Sequence, residues 1–598
     1  RYADAPGVEP RRARVADGGP YPLVLIVHGN HDPRDFSDPG YGYLGELLAS
    51  RGYILASIDM NFINGGIRQE NDGRGWLLLK HLEAWHAFNR TPGNPFHGMV
   101  DTTRIALIGH SRGGGAVAHA AAFNRLRHYP DDAGVEFDFG YAIRSLVAIA
   151  PVDGQYRPAE KLVPLEDVNY LVFHGSHDGD VTSFMGIRQY QRLAFSGRTP
   201  GLFKASVYVY RANHGQWNTV WGAHDLGERT GRIYDLGTLM PADEQRRFAE
   251  VYISAFLEAT LRGDGRYLPL FRDHRVAGDW LPPTMYVTRF QDHTFRPVAT
   301  YEDDIDLTTG DVAGVRLRGE GLATWREAGL DLRSANSPAE GSTRRNNAVW
   351  LGWNRGGAGE VEGGGDGSAG LGPGAGAGAG AGAGVNADAP AYTVTLPDSL
   401  LPRWRLGPEA SLAFALAPTD DVPEPPAEAP GGGDAGTGRG DAPGTEDASS
   451  RPGGGGGVDR RRGDSAPDRA AAGGAGGRVR DRAGGDEERL DLTVELVDAA
   501  GERARLPLSR YGPVRRPLDI RIHWRRDVAE RRFAAFHELL LQSYSLPLND
   551  FVADNPRLDP ARLRAVRFVF DRAPAGTVVL DEIGFSTLDP AYLVASSP

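Results

Sequence analysis

The sequence predicts two folded parts: an α/β unit with a mostly parallel sheet flanked by helices, then an all-β jelly-roll sandwich with disordered insertions. Three observations carry this. Over roughly the first 270 residues, short apolar runs alternate with stretches of helical periodicity, the order that builds a parallel sheet covered by helices. From about residue 300 the apolar residues switch to period-2 alternation between turn-forming residues. At 598 residues the chain is also longer than a single hydrophobic core serves.

The strands expected in the first part are "LVLIVHG" (23–29), "YILASID" (53–59), "RIALIGH" (104–110), "SLVAIA" (145–150), "YLVFHG" (170–175) and "ASVYVYRA" (205–212). Between them "YLGELLASRG" and "WLLLKHLEAWHAFN" place apolar residues at helical spacing, and "GGGAVAHAAAFNRL" follows the third strand as a helix. A last helix, "DEQRRFAEVYISAFLEATL", closes the unit near Leu261. The expected division is therefore a catalytic-type unit over 1–275, a linker over 276–299 and a sandwich over 300–590. In the sandwich, "TVTLPDSLL", "LDLTVELVDAAGERARLPL", "DIRIHW", "LRAVRFVFD" and "GTVVLDEIGF" alternate as strands do. Two low-complexity stretches, 356–390 and 420–488, bury too little apolar surface to fold and are expected as disordered insertions.

Composition excludes several classes of function. The chain has no cysteine, which removes disulfides, thiolate zinc sites and a Cys nucleophile. A net charge of −12 argues against general nucleic-acid binding, and acids interleave the "RGG"-like stretch, which has no aromatics for base stacking. Only three lysines occur, so the basic residues are almost all Arg, as expected from GC-rich coding bias. No apolar run approaches the ~20 residues of a membrane span. The first residues lack a Met and an apolar h-region, so no signal peptide is expected and the start reads as processed or truncated. Localisation stays open, with a lean toward export from the Gly-rich insertions and the appended sandwich.

The tetrapeptide "GNHD" (29–32) resembles a metallophosphoesterase fragment, but that reading fails on ligands. The 28 residues before it hold neither Asp-x-His nor Gly-Asp-x-x-Asp, and "GHSR" (109–112) lacks the second His of a closing Gly-His-x-His. The informative stretch is "IALIGHSRGGGAV". Gly109-His110-Ser111-Arg112-Gly113 is a G-x-S-x-G between an expected strand and an expected helix, the context of a nucleophile elbow. Ser111 needs a base to take its proton, and the base needs an acid to orient it. Behind an elbow of this kind the chain order is Ser, acid, His, each after a strand end. "YLVFHGSHDGDV" supplies Asp178, with Asp180 as the competing acid, and "VYVYRANHGQWN" supplies His214. His174 and His177 precede the acid in chain order and are not expected to be the base.

Together "PLVLIVHGN", "GHSRGG", "HGSHDGDV" and "NHGQWN" resemble the α/β-hydrolase superfamily, in its branch of cutinase-like polyester hydrolases, chlorophyllases and platelet-activating-factor acetylhydrolases. The resemblance covers about residues 20–265, and the strands expected before "PLVLIVHG" are missing or reduced. It implies a serine esterase with Ser111, His214 and Asp178 as its triad and no catalytic cofactor. The oxyanion hole would be the backbone N–H groups of Asn30, after "HG", and Arg112, after the nucleophile. That reading makes "GNHD" the oxyanion loop. Phe36, Tyr41, Phe62 and Trp217, with Tyr43 and Trp221, are candidates for a substrate pocket, although aromatics near such loops are core as often as contacts. "NFINGGIRQENDGRG" (61–75) reads as a loop or flap.

The C-terminal "LQSYSLPLNDF…LDPARLRAVRFVFDRAPAGTVVLDEIGF" resembles the last strands of galactose-binding-like jelly rolls, the architecture of many carbohydrate-binding modules, and "TYEDDIDLTTG" resembles their first strand. The resemblance implies a glycan ligand and a structural calcium held by Glu302, Asp303 and Asp581. "EDDID" reads more readily as an ordinary solvated acidic turn than as a calcium site, and a module that only docks on the hydrolase fits as well as a glycan-binding one. The leading expectation is hydrolysis of a carboxylic ester, small or polymeric. The alternatives are an amidase or lipase on the same triad, or a glycan- or surface-binding protein with an inert hydrolase unit.

Overall fold

Six of the apolar runs become parallel strands of one sheet: β1 (Tyr21–Val27), β2 (Ile54–Ile58), β3 (Val100–His110), β4 (Ile143–Ile149), β5 (Asn169–Gly175) and β6 (Phe203–Val209). A seventh, β7 (Tyr286–Asp292), runs antiparallel to β6 at one edge, giving the order β7-β6-β5-β4-β3-β1-β2. β7 falls inside 276–299, where the sequence pattern suggests a linker. The computed structural model describes residues 15–67, 70–225, 227, 233–333, 343–355, 389–404, 406–424, 490–515, 517, 518, 520, 522, 538–587 and 592.

The central strands read as unbroken apolar runs because both faces are covered. In β1, Val24 and Ile26 face a core with α1 (Gly42–Ser50) and α4 (Ala242–Arg262). Leu23, Leu25 and Val27 face the opposite core with α2 (Asn71–Arg90) and α3 (Arg112–Phe123). Each such side chain contributes about 1.5–3 kcal/mol by leaving water. The small residues of α3 let its backbone lie almost on the sheet. A Cβ at Gly113 would stand 2.4 Å from the Val27 carbonyl oxygen, and one at Gly114 would stand 2.5 Å from Pro151 Cβ. Helix α4 stops at Gly263, whose φ of 72° lies in the left-handed region that suits a C-terminal cap.

Further along, the chain forms two antiparallel sheets. One contains β10 (Thr324–Asp331), β11 (Thr343–Asn354), β18 (Ala575–Ser586), β13 (Ser411–Pro418) and β16 (Gln542–Pro547) in that order, with β8 (Arg296–Ala299) also paired to β18. The other runs β9 (Arg316–Glu320), β12 (Ala391–Thr395), β17 (Leu563–Val569), β14 (Thr493–Asp498) and β15 (Arg503–Pro507). They share one core: Val349, Leu351 and Trp353 of β11 and Leu412, Phe414 and Leu416 of β13 meet Tyr392, Val394, Val494, Leu496 and Phe568. Residues 300–310, expected as the first sandwich strand, are turns instead, and β8 takes the place beside β18. The Asp side chains explain this. Asp304 accepts from the Asp306 N–H at 2.7 Å and Asp306 from the Thr308 N–H at 3.0 Å, local bonds that compete with a ladder.

Of the stretches 356–390 and 420–488, only 389, 390 and 420–424 are among the described residues; of the expected strand 519–524, only 520 and 522 are. Among the described residues no helix is long and apolar enough to cross a membrane.

Candidate active site

β3 ends at His110, and the chain turns at Ser111 directly into α3. Ser111 holds φ 58° and ψ −122°, a conformation that costs an L-residue of order 1–3 kcal/mol and persists only where the surroundings impose it. The surroundings here are glycines. A Cβ at Gly109 would lie 2.0 Å from the Gly113 carbonyl oxygen, and one at Gly29 would lie 2.4 Å from Ser111 Cβ. The G-x-S-x-G spacing is thus a steric requirement, and Gly29, packed against Ser111, places the next residue, Asn30, near it. Arg112 opens α3, so its N–H belongs to the first turn, which has no intrahelical acceptor.

The residues expected as acid and base lie after β5 and β6. His214 Nδ1 donates to Asp178 Oδ2 at 2.7 Å, with both side chains almost fully buried. The other carboxylate oxygen, Oδ1, accepts from the N–H groups of Val181 at 2.7 Å and Asp180 at 3.0 Å. Asp180 stands on the opposite side of the ring, its carboxylate 3.7 Å from His214 Nε2. Nε2 has no hydrogen-bond partner among the described residues. Burial alone would lower the imidazole, but the Asp178 charge and hydrogen bond outweigh it. With Asp180 and Asp225 they push His214 up to about 9.

Several residues with no sequence signal complete the arrangement. Asp225 lies half-buried between the Asp178 and His214 loops and accepts four bonds: from the N–H groups of Gly179 (2.8 Å), His214 (3.0 Å) and Gly215 (2.8 Å), and from Asn213 Nδ2 (2.6 Å). Burial and the Asp178 charge push its carboxyl up to about 7. His110, the variable residue of the elbow, is buried behind His214. Its Nε2 lies 3.1 Å from the His214 carbonyl oxygen, which can only accept, so Nε2 carries the proton and Nδ1 accepts from the Tyr41 hydroxyl at 3.0 Å. Burial and the neighbouring His214 keep His110 well below the ordinary histidine range, and so neutral. Trp221 stacks between His31 and His214, with interplanar angles of 7° to each, and its indole N–H donates to Ser37 Oγ at 2.9 Å.

The strand end before Asn30 is held by a second buried group. Arg74, fully enclosed in α2, pairs with Glu70 at 3.0 Å and donates to Asn64 Oδ1 at 2.7 Å and weakly to the His28 carbonyl at 3.4 Å. Glu70 also pairs with Arg112 at 2.7 Å, and Asn30 Oδ1 accepts from the Gly65 N–H at 2.9 Å. The described part of the 61–75 stretch is therefore tied to both residues expected to flank the oxyanion.

The aromatics divide. Trp217, expected to line a substrate pocket, is instead core, packed edge-on to Phe173 beneath the base loop, and Tyr41 is buried against His110. Tyr43, half-buried at the edge of the same core, donates its hydroxyl to the Trp217 carbonyl at 2.9 Å. Phe36 and Phe62 are two-thirds exposed, at 66% and 67%. Their loops meet where the Ser37 N–H donates to Asn61 Oδ1 at 3.1 Å.

The three acids implied as a calcium site do not form a ligand set. Glu302 accepts from Asn347 N–H (2.7 Å) and Nδ2 (3.2 Å), and Asp581 accepts from Asn346 Nδ2 (2.9 Å) and the Glu582 N–H (2.6 Å), with the Arg289 guanidinium 3.7 Å away. Asp303 lines a separate small cavity with Asp304, Asp306 and Asp311. Among the described residues no group of three or more His, Asp or Glu is arranged to hold a metal ion. A guanidinium and amide donors already answer Glu302 and Asp581, and Asp303 faces a different cavity, so the three do not fit a calcium ion.

A family model described as PETase, PET hydrolase-like, matches residues 37–129. The match spans α1 to the end of α3 and so contains the Ser111 elbow, but not Asp178, His214 or the sandwich. No curated protein matches the chain. The match and the parallel sheet together support an α/β-hydrolase of the ester-cleaving kind.

Proposed function

We propose that the chain is a serine hydrolase of carboxylic esters, with Ser111 as nucleophile, His214 as base and Asp178 as the acid that orients it. The observation that carries this is the buried 2.7 Å bond from His214 Nδ1 to Asp178, which leaves Nε2 without a hydrogen-bond partner among the described residues on the base loop beside the strained serine elbow.

In the reaction His214 Nε2 takes the Ser111 hydroxyl proton as Oγ attacks the ester carbonyl. The oxyanion is met by the peptide N–H groups of Asn30 and Arg112, donors that are fixed before charge develops. His214 then gives the proton to the leaving alkoxide, which departs as the alcohol, and the acyl group stays on Ser111. Water, deprotonated by the same imidazole, releases the acid and restores the serine. Asp178 stays ionised throughout and stabilises the imidazolium. The exposed Phe36 and Phe62, with Val220 at 44% exposure on the loop after His214, give the site an apolar rim suited to a hydrophobic ester or a polyester chain.

The test is covalent labelling: a fluorophosphonate should modify Ser111, identified by mass spectrometry of the labelled peptide. Folded protein that takes no label at Ser111 would refute the reading.

The His214 environment also predicts the pH profile. The base works only when neutral, and its folded pKa is raised, so log kcat/KM should climb with pH and level off near pH 9. Asp180 is one of the groups that raises it, so Asp180→Asn should move that limb downward and increase activity at pH 7 relative to the plateau. A rate profile from pH 5 to 10 on both proteins checks this; a limb near pH 6.5 in the unmodified protein would contradict it.

A further inference from the structure

The loop that carries Asp178 is gripped from the β-sandwich. Arg333, two residues beyond the end of β10, reaches across to it and donates from Nη1 to the Ser176 carbonyl at 3.0 Å and from Nη2 to the Thr182 carbonyl. Glu538, shortly before β16, accepts the Phe184 N–H on both carboxylate oxygens at 3.0 Å and pairs with Arg344 of β11 at 3.3 Å. Arg333, Arg344 and Glu538 are all buried. Behind them, Tyr208 of β6 feels Arg333, Glu538, Arg344 and Asp178 together.

The two carbonyls held by Arg333 bracket the acid, one two residues before Asp178 and the other four residues after it. Between them lie the Asp180 and Val181 N–H groups that fix Asp178 Oδ1. A rigid planar fork can hold two carbonyls at a set separation, which an ammonium cannot do. The direction of the Asp178 carboxylate therefore depends on a side chain from the sandwich. Buried ion pairs that only join two parts of a fold would have no reason to converge on this loop.

We infer that Arg333 is a positioning residue for the catalytic acid, supported by Glu538 and Arg344, so that the sandwich is part of the active-site scaffold. This rests on Asp178 being the triad acid.

The test uses the full chain and Arg333→Lys, read by p-nitrophenyl acetate hydrolysis across pH. The groups facing His214 are Asp178 and Asp180 from the acid loop, Asp225 from the loop beyond, His110 from the elbow and His174 from β5, whose Nε2 lies 3.8 Å from the Asp178 carboxylate. Those that feel Arg333 are His174, His177 and Tyr208. Loosening the Asp178 loop weakens the interaction that raises His214. The expected result is a fall in kcat of roughly tenfold or more with KM little changed, and an acid limb shifted down by about half a pH unit or more. Glu538→Gln should move both in the same direction by less. In Arg333→Gly, added methylguanidine should restore part of the rate.

A folded Arg333→Lys with unchanged kcat and pH limb would overturn the inference. So would a lower melting temperature with kcat and limb intact, since that describes structural glue alone. If Arg333→Gly does not fold, the Lys and Gln variants decide. Failure of the esterase reading shows separately, as hydrolysis by the unmodified protein that does not depend on Ser111, and would remove the inference with it.

Discussion

Ser111→Ala should reduce hydrolysis of p-nitrophenyl acetate and butyrate by roughly 10⁴-fold or more, leaving only what the oxyanion donors and substrate binding supply. The substitution removes one oxygen at a site with φ of 58°, where alanine is no worse accommodated than serine, so the protein should remain folded with an unchanged melting temperature. Asp178→Asn should cost nearly as much, roughly 10³–10⁴-fold in kcat, for a different reason. Its amide can present an N–H to His214 Nδ1 and so favour the wrong tautomer, with the proton on Nε2 where the serine proton must go. The two variants should also be non-additive, because they disable one unit: the double variant should be about as slow as Ser111→Ala alone. Equal activity in all of these folded proteins would sink the triad.

The second large effect should come from Asp225. Alanine there strands four donors, the N–H groups of Gly179, His214 and Gly215 and the Asn213 amide. Each buried donor left unpaired costs about 1–3 kcal/mol, less whatever an entering water restores, so a clear fall in melting temperature is expected. Activity should fall further than stability alone accounts for. Gly179 adjoins Asp178, the proposed acid, and His214 is the proposed base, so Asp225 sets the distance between their loops. A displacement near 1 Å at such a site costs roughly 10²-fold in rate. Asp225→Asn should lie between, since it keeps one good acceptor but turns an amide NH₂ toward backbone donors. Kinetics and melting curves on both variants check this, and wild-type kcat in a folded Asp225→Ala would show that the bridge is dispensable.

How much of this was legible in the chain differs from residue to residue. The strands β1 to β6 and the Ser111 elbow could be read directly because each leaves a local mark. A parallel strand buried on both faces must be apolar throughout, and an elbow that approaches Val27 and Gly29 needs glycine where a Cβ would collide. The order of Asp178 and His214 behind it followed from where the strands end. β11 was harder to recognise. "TRRNNAVWLGWN" carries Arg344 and Asn346 at buried positions, and these are tolerable only because Glu538 and Asp581, far along the chain, answer them.

The sequence alone therefore determined the local geometry of the Ser111 turn, the succession of strands and the placing of Asp178 and His214 just beyond strand ends, since each is enforced by sterics or periodicity within a few residues. Tertiary structure decided which groups surround them. Nothing near Asp225, Arg74 or Arg333 in the chain foretells that they close on the Asp178 loop, the His214 loop and the end of β1. A buried charge becomes affordable only when the partner that satisfies it is brought in from elsewhere in the fold. The same holds for Trp217 and Tyr41, expected at the substrate and found in the core, because a single aromatic beside a loop does not reveal which way it packs.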